Sequence, residues 1–318
     1  MPRVKRWAKR AFVVLALVWA GFILGWAPYF LAGIVTTRRF QFPDKENAGL
    51  TPKSFELPFE DVAFKTSDGV ELKGWWVPAA SAKGSVILVH GLNRSRIEMV
   101  KKTPFLAREG WNALLLDLRH HGQSGGERTT LGATEKLDVL AAAALAREKS
   151  PGPVVLWGVS LGGASATLAA ADDAKVGGIV CDSSYRSVAD TIGHHVVLFR
   201  NFRWWGQLAP RWPVADLVLY WLGRRGAFDP RSVDVVAAAH KLNGRPALFV
   251  CNSEDRRMPK EIAFDLQAAA GPQAKVLVVP GTSHGGAYRD GTAAYEHAVE
   301  ELLNEVASAA GAQRMASR

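Results

Sequence analysis

Residues Val154–Gly163 read VVLWGVSLGG, an apolar run that leads directly into a serine flanked by glycines. The first half has the length and β-branched content of a buried strand, and a helix of small residues follows it. Gly158 and Gly162 leave room for a strained turn that exposes the hydroxyl of Ser160. The stretch therefore predicts a strand, a turn and a helix, with Ser160 as a nucleophile. The N–H of Leu161, at the helix N-terminus, is the predicted donor to developing negative charge.

Apolar runs on either side of this stretch predict seven further strands, most of them separated by helices. Repeated strand–helix units imply an α/β fold with a mostly parallel eight-stranded sheet and helices on both faces. Ligand sites in such sheets lie at the carboxyl ends of the strands. The predicted strands are Val62–Lys65, Val70–Val77, Ser85–Val89, Trp111–Leu118, Val154–Trp157, Val176–Cys181, Ala247–Cys251 and Lys275–Val279, and the helices between or after them are Leu131–Arg147, Leu161–Ala171, Glu261–Ala270 and Ala294–Val306.

A second serine also has the glycine-x-serine-x-glycine spacing, at Gly122–Gly126. A polar segment precedes Ser124 and a charged loop follows it, so the strand–turn–helix context is missing. Ser160 is therefore the predicted nucleophile and Ser124 the alternative.

The predicted general base is His284, in the loop Gly281–Gly286 (GTSHGG) after the last strand. The third member should follow a strand that precedes the histidine, where its carboxylate would hold the imidazole tautomer and stabilise the imidazolium. Asp255, in the loop after Ala247–Cys251, fits this position best. Asp182 and Glu254 remain alternatives.

A second oxyanion donor is expected from the loop after the SVILV strand, where Gly91 permits close approach. The Leu92 N–H is the preferred donor and that of Asn93 the alternative. No spacing of residues suggests a metal site, and we expect neither a metal nor an organic cofactor.

Residues 186–243 interrupt the alternation of strands and helices. They contain helical stretches at Val188–Leu198, Val214–Leu222 and Val233–Lys241. Four tryptophans also lie here, Trp204, Trp205, Trp212 and Trp221. An insertion between two late strands lies above the strand ends, so we predict a short helical lid, with an ordinary packed insertion as the alternative.

The N-terminal segment has the composition of a membrane anchor. Residues Ala11–Thr37 are 27 consecutive uncharged residues, enough for a transmembrane helix. Five basic residues precede this run, which predicts a cytoplasmic N-terminus and a single pass, with the remaining chain on the extracytoplasmic side. A cleaved signal peptide and a buried core helix are the alternatives. The predicted organisation is an anchor at residues 1–40 and one catalytic domain at residues 41–318.

The charge distribution argues against nucleic-acid binding. The net charge is +9, but residues 1–39 hold seven Lys or Arg and no acid, leaving 32 basic against 30 acidic residues in the remaining chain. A nearly neutral body lacks the basic patch that a nucleic-acid site needs. The two cysteines, Cys181 and Cys251, lie in apolar runs and are expected to be buried free thiols.

From about Val62 to Val306 the chain resembles the α/β-hydrolase superfamily. His90-Gly91 is similar to its oxyanion loop, and Gly158–Gly163 is similar to its nucleophile turn. Asp117–Ser124 is similar to its D-x-R-G-H-G-x-S loop, with His120 where glycine is usual.

Asp255 and His284 are similar to the acid and the histidine of that superfamily. The resemblance implies the α/β-hydrolase fold and makes Ser124 a structural loop residue. The short lid and the N-terminal segment look most like membrane-anchored bacterial hydrolases related to serine aminopeptidases and monoacylglycerol lipases.

The sequence thus predicts a serine hydrolase that cleaves carboxylic (acyl) esters. The apolar lid and the membrane helix favour lipid-derived esters, so the expected partners are an acyl ester substrate and the membrane. A peptidase or thioesterase would use the same three residues and remains an alternative. A non-catalytic membrane receptor on the same scaffold is less favoured, because all three positions are filled.

Overall fold

The computed structural model describes residues 2–37, 41, 44–202 and 211–316. Eight strands form one sheet: β1 (Glu60–Lys65), β2 (Glu71–Val77), β3 (Ser85–Val89), β4 (Asn112–Leu116), β5 (Val154–Val159), β6 (Val176–Asp182), β7 (Ala247–Asn252) and β8 (Ala274–Val279). Their order across the sheet is β1-β2-β4-β3-β5-β6-β7-β8. β2 pairs antiparallel with β1 and β4, and the other five pairings are parallel. The predicted mostly parallel eight-stranded sheet is confirmed.

Helices cover both faces of this sheet, as predicted. Two buried clusters lie on its opposite sides because successive side chains of a strand point to opposite faces. The helices are α1 (Pro2–Gly21), α2 (Ala27–Thr36), α3 (Thr103–Arg108), α4 (Glu135–Lys149), α5 (Leu161–Asp172), α6 (Val188–Phe202), α7 (Arg211–Gly226), α8 (Val235–His240), α9 (Glu261–Ala270), α10 (Ala287–Asp290) and α11 (Thr292–Ala316).

Helix α4 begins four residues later than the sequence predicts, at Glu135 instead of Leu131. Leu131 and Gly132 both have positive φ, at 53° and 105°, which an α-helix excludes. The Glu135 carboxylate accepts hydrogen bonds from the N–H groups of Thr130 and Gly132 at 2.8 and 2.7 Å. The apolar spacing that suggested a longer helix therefore includes a turn.

The segment between β6 and β7 contains α6, α7 and α8, close to the three helical stretches predicted for the lid. Helix α8 begins at Val235, later than predicted, because the Asp234 carboxylate caps it by accepting from Ala237 N at 2.9 Å. Trp212 is exposed and Trp221 half-buried. The other two tryptophans noted in this stretch, Trp204 and Trp205, lie outside the described residues.

The N-terminal helix, residues Pro2–Thr36, consists of α1, a π-helical turn at Phe22–Trp26 and α2. Its section Arg6–Thr36 is 31 residues long and apolar enough to cross a membrane. Apolar side chains are exposed from Trp7 to Phe22, whereas Ile23 and Ala32 are buried against the body of the protein. The basic residues Arg38 and Arg39, which follow this helix, lie outside the described residues. The division of the chain into residues 1–40 and 41–318 remains a prediction.

Candidate active site

Ser160 lies on the turn between β5 and α5, with φ and ψ of 54° and −114°. A non-glycine residue rarely adopts this conformation, so the surrounding packing must hold it. A Cβ atom at Gly158 would lie 2.2 Å from Gly162 C, and one at Gly162 would lie 2.2 Å from Val89 O. Both glycines are therefore required by the close approach of the backbone around the turn.

Three side chains from different loops form a hydrogen-bonded series. Ser160 Oγ donates to His284 Nε2 at 2.9 Å, and His284 Nδ1 donates to Asp255 Oδ2 at 2.7 Å. An ionised carboxylate only accepts hydrogen bonds, so Nδ1 carries the proton and Nε2 is left as the acceptor. The structure thus brings together the nucleophile, base and acid predicted from the sequence.

The other oxygen of Asp255, Oδ1, accepts hydrogen bonds from Arg257 N at 2.8 Å and Met258 N at 3.1 Å. Burial opposes ionisation of this carboxyl group, but the hydrogen bond from His284 and the electrostatic interaction with its imidazole, together with the two backbone donors, lower the pKa of Asp255. The carboxylate is therefore fixed in position and stays ionised beside the imidazole.

The two alternative acids have other surroundings. Asp182 is fully buried and accepts from Ser183 Oγ at 2.8 Å and Tyr295 Oη at 3.1 Å. Burial raises the pKa of Asp182. Glu254 is exposed. Neither carboxylate makes a hydrogen bond to His284 among the described residues, so the geometry favours Asp255.

The two predicted oxyanion donors belong to two different segments next to Ser160. Leu161 N belongs to the first residue of α5. Leu92 lies in the loop after β3, where a Cβ on the adjacent Gly91 would approach Ser160 Cβ to 3.6 Å. Gly91 N donates to Glu98 Oε2 at 2.7 Å and Asn93 N donates to His121 Nε2 at 3.1 Å. Because its neighbours' amides are occupied, the Leu92 amide is favoured over that of Asn93.

The side chains of Glu98, His121 and His90 hold the loop after β3 in place, and sequence reasoning assigned none of them this role. Glu98 and His121 accept the two backbone hydrogen bonds given above. His90 connects the segments after two strands, because its Nδ1 donates to Gly91 O at 2.7 Å and its Nε2 accepts from Leu118 N at 3.0 Å. Burial lowers the pKa of both histidines and raises that of Glu98. Both imidazoles are therefore neutral acceptors for backbone N–H groups, and no local pattern in the sequence predicts those contacts.

Ser124 has a different role from Ser160. Ser124 is buried. Its Oγ atom donates a hydrogen bond to Asp117 O at 2.6 Å and accepts one from Lys73 N at 2.9 Å. Its neighbour His120 has a φ of 63°, which explains why glycine is usual at that position in the resembling loop. Ser124 thus ties its loop to β2.

A cavity of about 520 Å³ lies above Ser160, within the range of about 300–1,000 Å³ typical of small-molecule sites. Ser160, Leu92 and Leu161 form part of its wall, and the lid helices and the N-terminal helix form most of the rest. The walls that the described residues provide are predominantly apolar and contain no Asp or Glu. Elsewhere in the described chain, no group of three or more His, Cys, Asp or Glu is arranged to hold a metal ion. Both cysteines are free and buried, as expected.

Comparison with known proteins places this site in a family. The family profile described as serine aminopeptidase, S33, matches residues 80–246, just over half of the chain. Uncharacterized protein YqkD of Bacillus subtilis (strain 168) is 27% identical over 261 residues, covering 80% of this chain and 82% of that protein. The α/β hydrolase domain-containing protein WAV2 of Arabidopsis thaliana is 25% identical, over 77% of this chain and 79% of its own length.

Solved structures show the same fold. The Pyrococcus furiosus esterase Pf2001 superposes with a TM-score of 0.68 at 23% identity, covering 85% of this chain and 98% of that one. The α/β hydrolase GrgF from Penicillium sp. sh18 gives 0.63 at 19% identity, covering 79% and 100%. The chain therefore belongs to the serine aminopeptidase S33 family within the α/β-hydrolase superfamily, and it is a hydrolase.

Proposed function

We propose that this hydrolase cleaves carboxylic acyl esters with Ser160 as nucleophile, His284 as general base and Asp255 as the orienting acid. The observation that carries the proposal is the hydrogen-bonded series from Ser160 to Asp255 beneath an apolar cavity. A nucleophile, a base within hydrogen-bond reach and a third group that orients the base are the arrangement that covalent catalysis requires.

The proposed reaction has two halves. His284 Nε2 takes the proton of Ser160 while the Oγ atom attacks the acyl carbonyl, and the oxyanion accepts from Leu92 N and Leu161 N. His284 then donates that proton to the departing alkoxide, which leaves an acyl-enzyme. A water molecule, deprotonated by His284, attacks this ester and releases the carboxylic acid with Ser160 restored.

The cavity wall favours an ester over a peptide with a free N-terminus. An aminopeptidase must bind a charged α-amino group, and burying a cation is costly without an anionic partner. No Asp or Glu lines the cavity at Ser160 among the described residues, and one cationic side chain, Arg257, borders it. An uncharged acyl group suits this surface better.

The proposal is tested with the full-length chain in detergent. Turnover is measured with p-nitrophenyl butyrate, an aminoacyl p-nitroanilide and a butyryl thioester, and a fluorophosphonate reports covalent labelling of the nucleophile. Wild type is compared with Ser160→Ala and with Ser124→Ala, which removes the other glycine-flanked serine. We expect labelling and ester turnover to disappear in Ser160→Ala and to persist in folded Ser124→Ala.

Other outcomes reassign the function. Faster cleavage of the anilide or the thioester than of the ester would replace the esterase by a peptidase or a thioesterase. Labelling that survives in Ser160→Ala and disappears in Ser124→Ala would move the nucleophile. A wild-type chain that is neither labelled nor active would favour the receptor hypothesis.

We also propose that the N-terminal helix spans the membrane once, with the hydrolase domain on the extracytoplasmic side. Its length and the basic residues before it support this arrangement. Alkaline phosphatase, which is active only outside the cytoplasm, and green fluorescent protein are fused separately to the C-terminus. Phosphatase activity without fluorescence is expected, and the reverse would place the domain in the cytoplasm.

A further inference from the structure

The N-terminal helix contributes one wall of the cavity above Ser160. Ile23, Ala27, Leu31 and Val35 line it at a spacing of four residues, which places them on one face of the helix. The lid helices present two similar stripes, Val188, Ile192 and Val196 on α6 and Val214, Val218 and Leu222 on α7. Three helices therefore line the cavity on the side facing away from the sheet loops, and one of them is the helix that is apolar enough to cross a membrane.

Specific contacts hold the end of this helix on the lid. The guanidinium of Arg225, at the end of α7, lies 4.2 Å from the ring centroid of Tyr29 and donates to Thr37 Oγ1 at 3.1 Å. The ring of Tyr29 also meets that of Trp221 edge to face at 5.0 Å. Thr129 N donates to Thr36 O at 2.8 Å, which ties the helix end to the hydrolase domain. The wall is thus fixed to the domain.

The helix is long enough to span a bilayer if the first part of this wall lies within the hydrocarbon core. At about 1.5 Å per residue, its section Arg6–Thr36, 31 residues long, extends about 46 Å, whereas a hydrocarbon core is about 30 Å thick. The exposed section Arg6–Phe22 extends only about 25 Å at the same rise, so the first part of the cavity-lining stretch must also lie in the hydrocarbon core. The section from Ile23 to Thr36, which contains both buried and exposed residues, packs on the domain, so the cavity adjoins the membrane.

Four aromatic rings connect the two sections. Trp19, Phe22, Trp26 and Phe30 stack in sequence, with centroid separations of 5.9, 5.3 and 4.6 Å. All four are exposed, and the last three also line the cavity. A continuous apolar surface therefore leads from the membrane-spanning section into the cavity.

We infer that the substrate is a membrane lipid ester whose acyl chain leaves the bilayer along the N-terminal helix and enters the cavity against its Ile23–Val35 face. The inference rests on the proposed ester hydrolysis and adds the source and class of the substrate. The lining stretch from Phe22 to Val35 extends about 20 Å at 1.5 Å per residue. This exceeds the roughly 15 Å of one leaflet, half of the hydrocarbon core, so the wall is long enough for a lipid acyl chain.

Chain-length specificity tests the inference in the full-length protein. Ala27→Trp fills the cavity wall, and Leu24→Trp adds the same side chain to the same helix at an exposed residue outside the cavity lining. The ratio of kcat/KM for p-nitrophenyl dodecanoate to that for p-nitrophenyl acetate is measured in detergent. In Ala27→Trp we expect this ratio to fall about 15-fold or more, which corresponds to two methylenes that are no longer buried. Leu24→Trp should keep the wild-type ratio.

A binding measurement covers the case in which neither ester is hydrolysed. The full-length chain is irradiated with a diazirine-bearing long-chain fatty acid, and the cross-linked tryptic peptides are identified with and without excess dodecanoate. We expect cross-links in segment 11–38 that excess dodecanoate suppresses. These cross-links should be lost in Ala27→Trp and kept in Leu24→Trp. If Ala27→Trp does not fold, the milder Ala27→Leu takes its place and should reduce them.

The two measurements separate the inference from the function on which it rests. Cross-links of the expected pattern without any turnover would retain the acyl cavity and overturn the esterase. An unchanged chain-length ratio in folded Ala27→Trp would refute the claim that the N-terminal helix contacts the acyl chain. Cross-links that do not respond to Ala27 substitutions would refute it as well. Equal effects of Ala27→Trp and Leu24→Trp would show a general perturbation of the helix and would also overturn it.

Discussion

Replacing Asp255 by asparagine exchanges one carboxylate oxygen for an NH₂ group and puts a donor where His284 now donates. Asp255 Oδ1 accepts from two backbone N–H groups, at 2.8 and 3.1 Å. An asparagine must keep its carbonyl oxygen at that position to satisfy both donors, which places its NH₂ group against His284 Nδ1. Two donors cannot share this 2.7 Å contact, so the imidazole proton moves to Nε2.

That tautomer cannot act as the base. Nε2–H would point at Ser160 Oγ, 2.9 Å away, and would donate instead of accepting the serine proton. In a Ser-His-Asp site the wrong tautomer costs about 10⁴-fold in kcat, or about 5.4 kcal/mol of transition-state stabilisation. We expect this loss for Asp255→Asn with p-nitrophenyl butyrate. Both backbone hydrogen bonds are retained, so the melting temperature should change little.

Asp182→Asn is the matched control, because Asp182 accepts from two hydroxyl groups, those of Ser183 and Tyr295. Hydroxyl groups reorient to suit an amide, so the tautomer of His284 should not change. A fall in kcat of less than about tenfold is expected, one step of 1.36 kcal/mol. The assignment of the acid would be refuted if folded Asp255→Asn kept more than a tenth of the wild-type kcat while Asp182→Asn showed the loss of about 10⁴-fold.

Two further predictions concern stability. Gly162→Ala places a Cβ 2.2 Å from Val89 O and should lower the free energy of unfolding by about 3 kcal/mol. Gly311→Ala is the control, because a Cβ at this helical residue would meet no atom within 4 Å, and it should raise the free energy of unfolding by up to about 1 kcal/mol. Equal effects of the two substitutions in chemical denaturation would contradict the packing argument. Burial lowers the pKa of His121, so as the pH falls below about 6.5 the unfolded chain takes up the proton first and the native state loses stability. His121→Gln, which retains an acceptor for Asn93 N, should therefore make the melting temperature less dependent on pH below this value, and an unchanged dependence would show that His121 is not the titrating group.

The sequence predicts most of the sheet and the proposed nucleophile because both depend on local patterns. Eight apolar runs with turn signals between them correspond to the eight strands. Ser160 is distinguished from Ser124 by the strand before it and the small-residue helix after it. The predicted lid helices agree with the observed ones to within four residues at each end. Two helices begin later than predicted, at Glu135 and Val235, because a positive φ or a cap overrides the apolar spacing, whereas α11 continues to Ala316, beyond the predicted end at Val306.

Other parts of the candidate site depend on contacts between distant residues. The hydrogen bonds of Glu98 and His121 to the oxyanion loop have no sequence pattern, because a buried acid or histidine can bond to any nearby backbone N–H. Chain order favours Asp255 over Asp182, but only the folded loops show which carboxylate reaches His284.

The N-terminal helix shows the same distinction most clearly. Composition by itself determines that residues 11–37 form an apolar helix long enough for a membrane, since charge and length are local properties. An apolar stripe has the same composition whether it faces lipid, a protein core or a substrate cavity. Only the packing of this helix on α7 decided that one of its faces lines the cavity above Ser160, more than a hundred residues away in the chain.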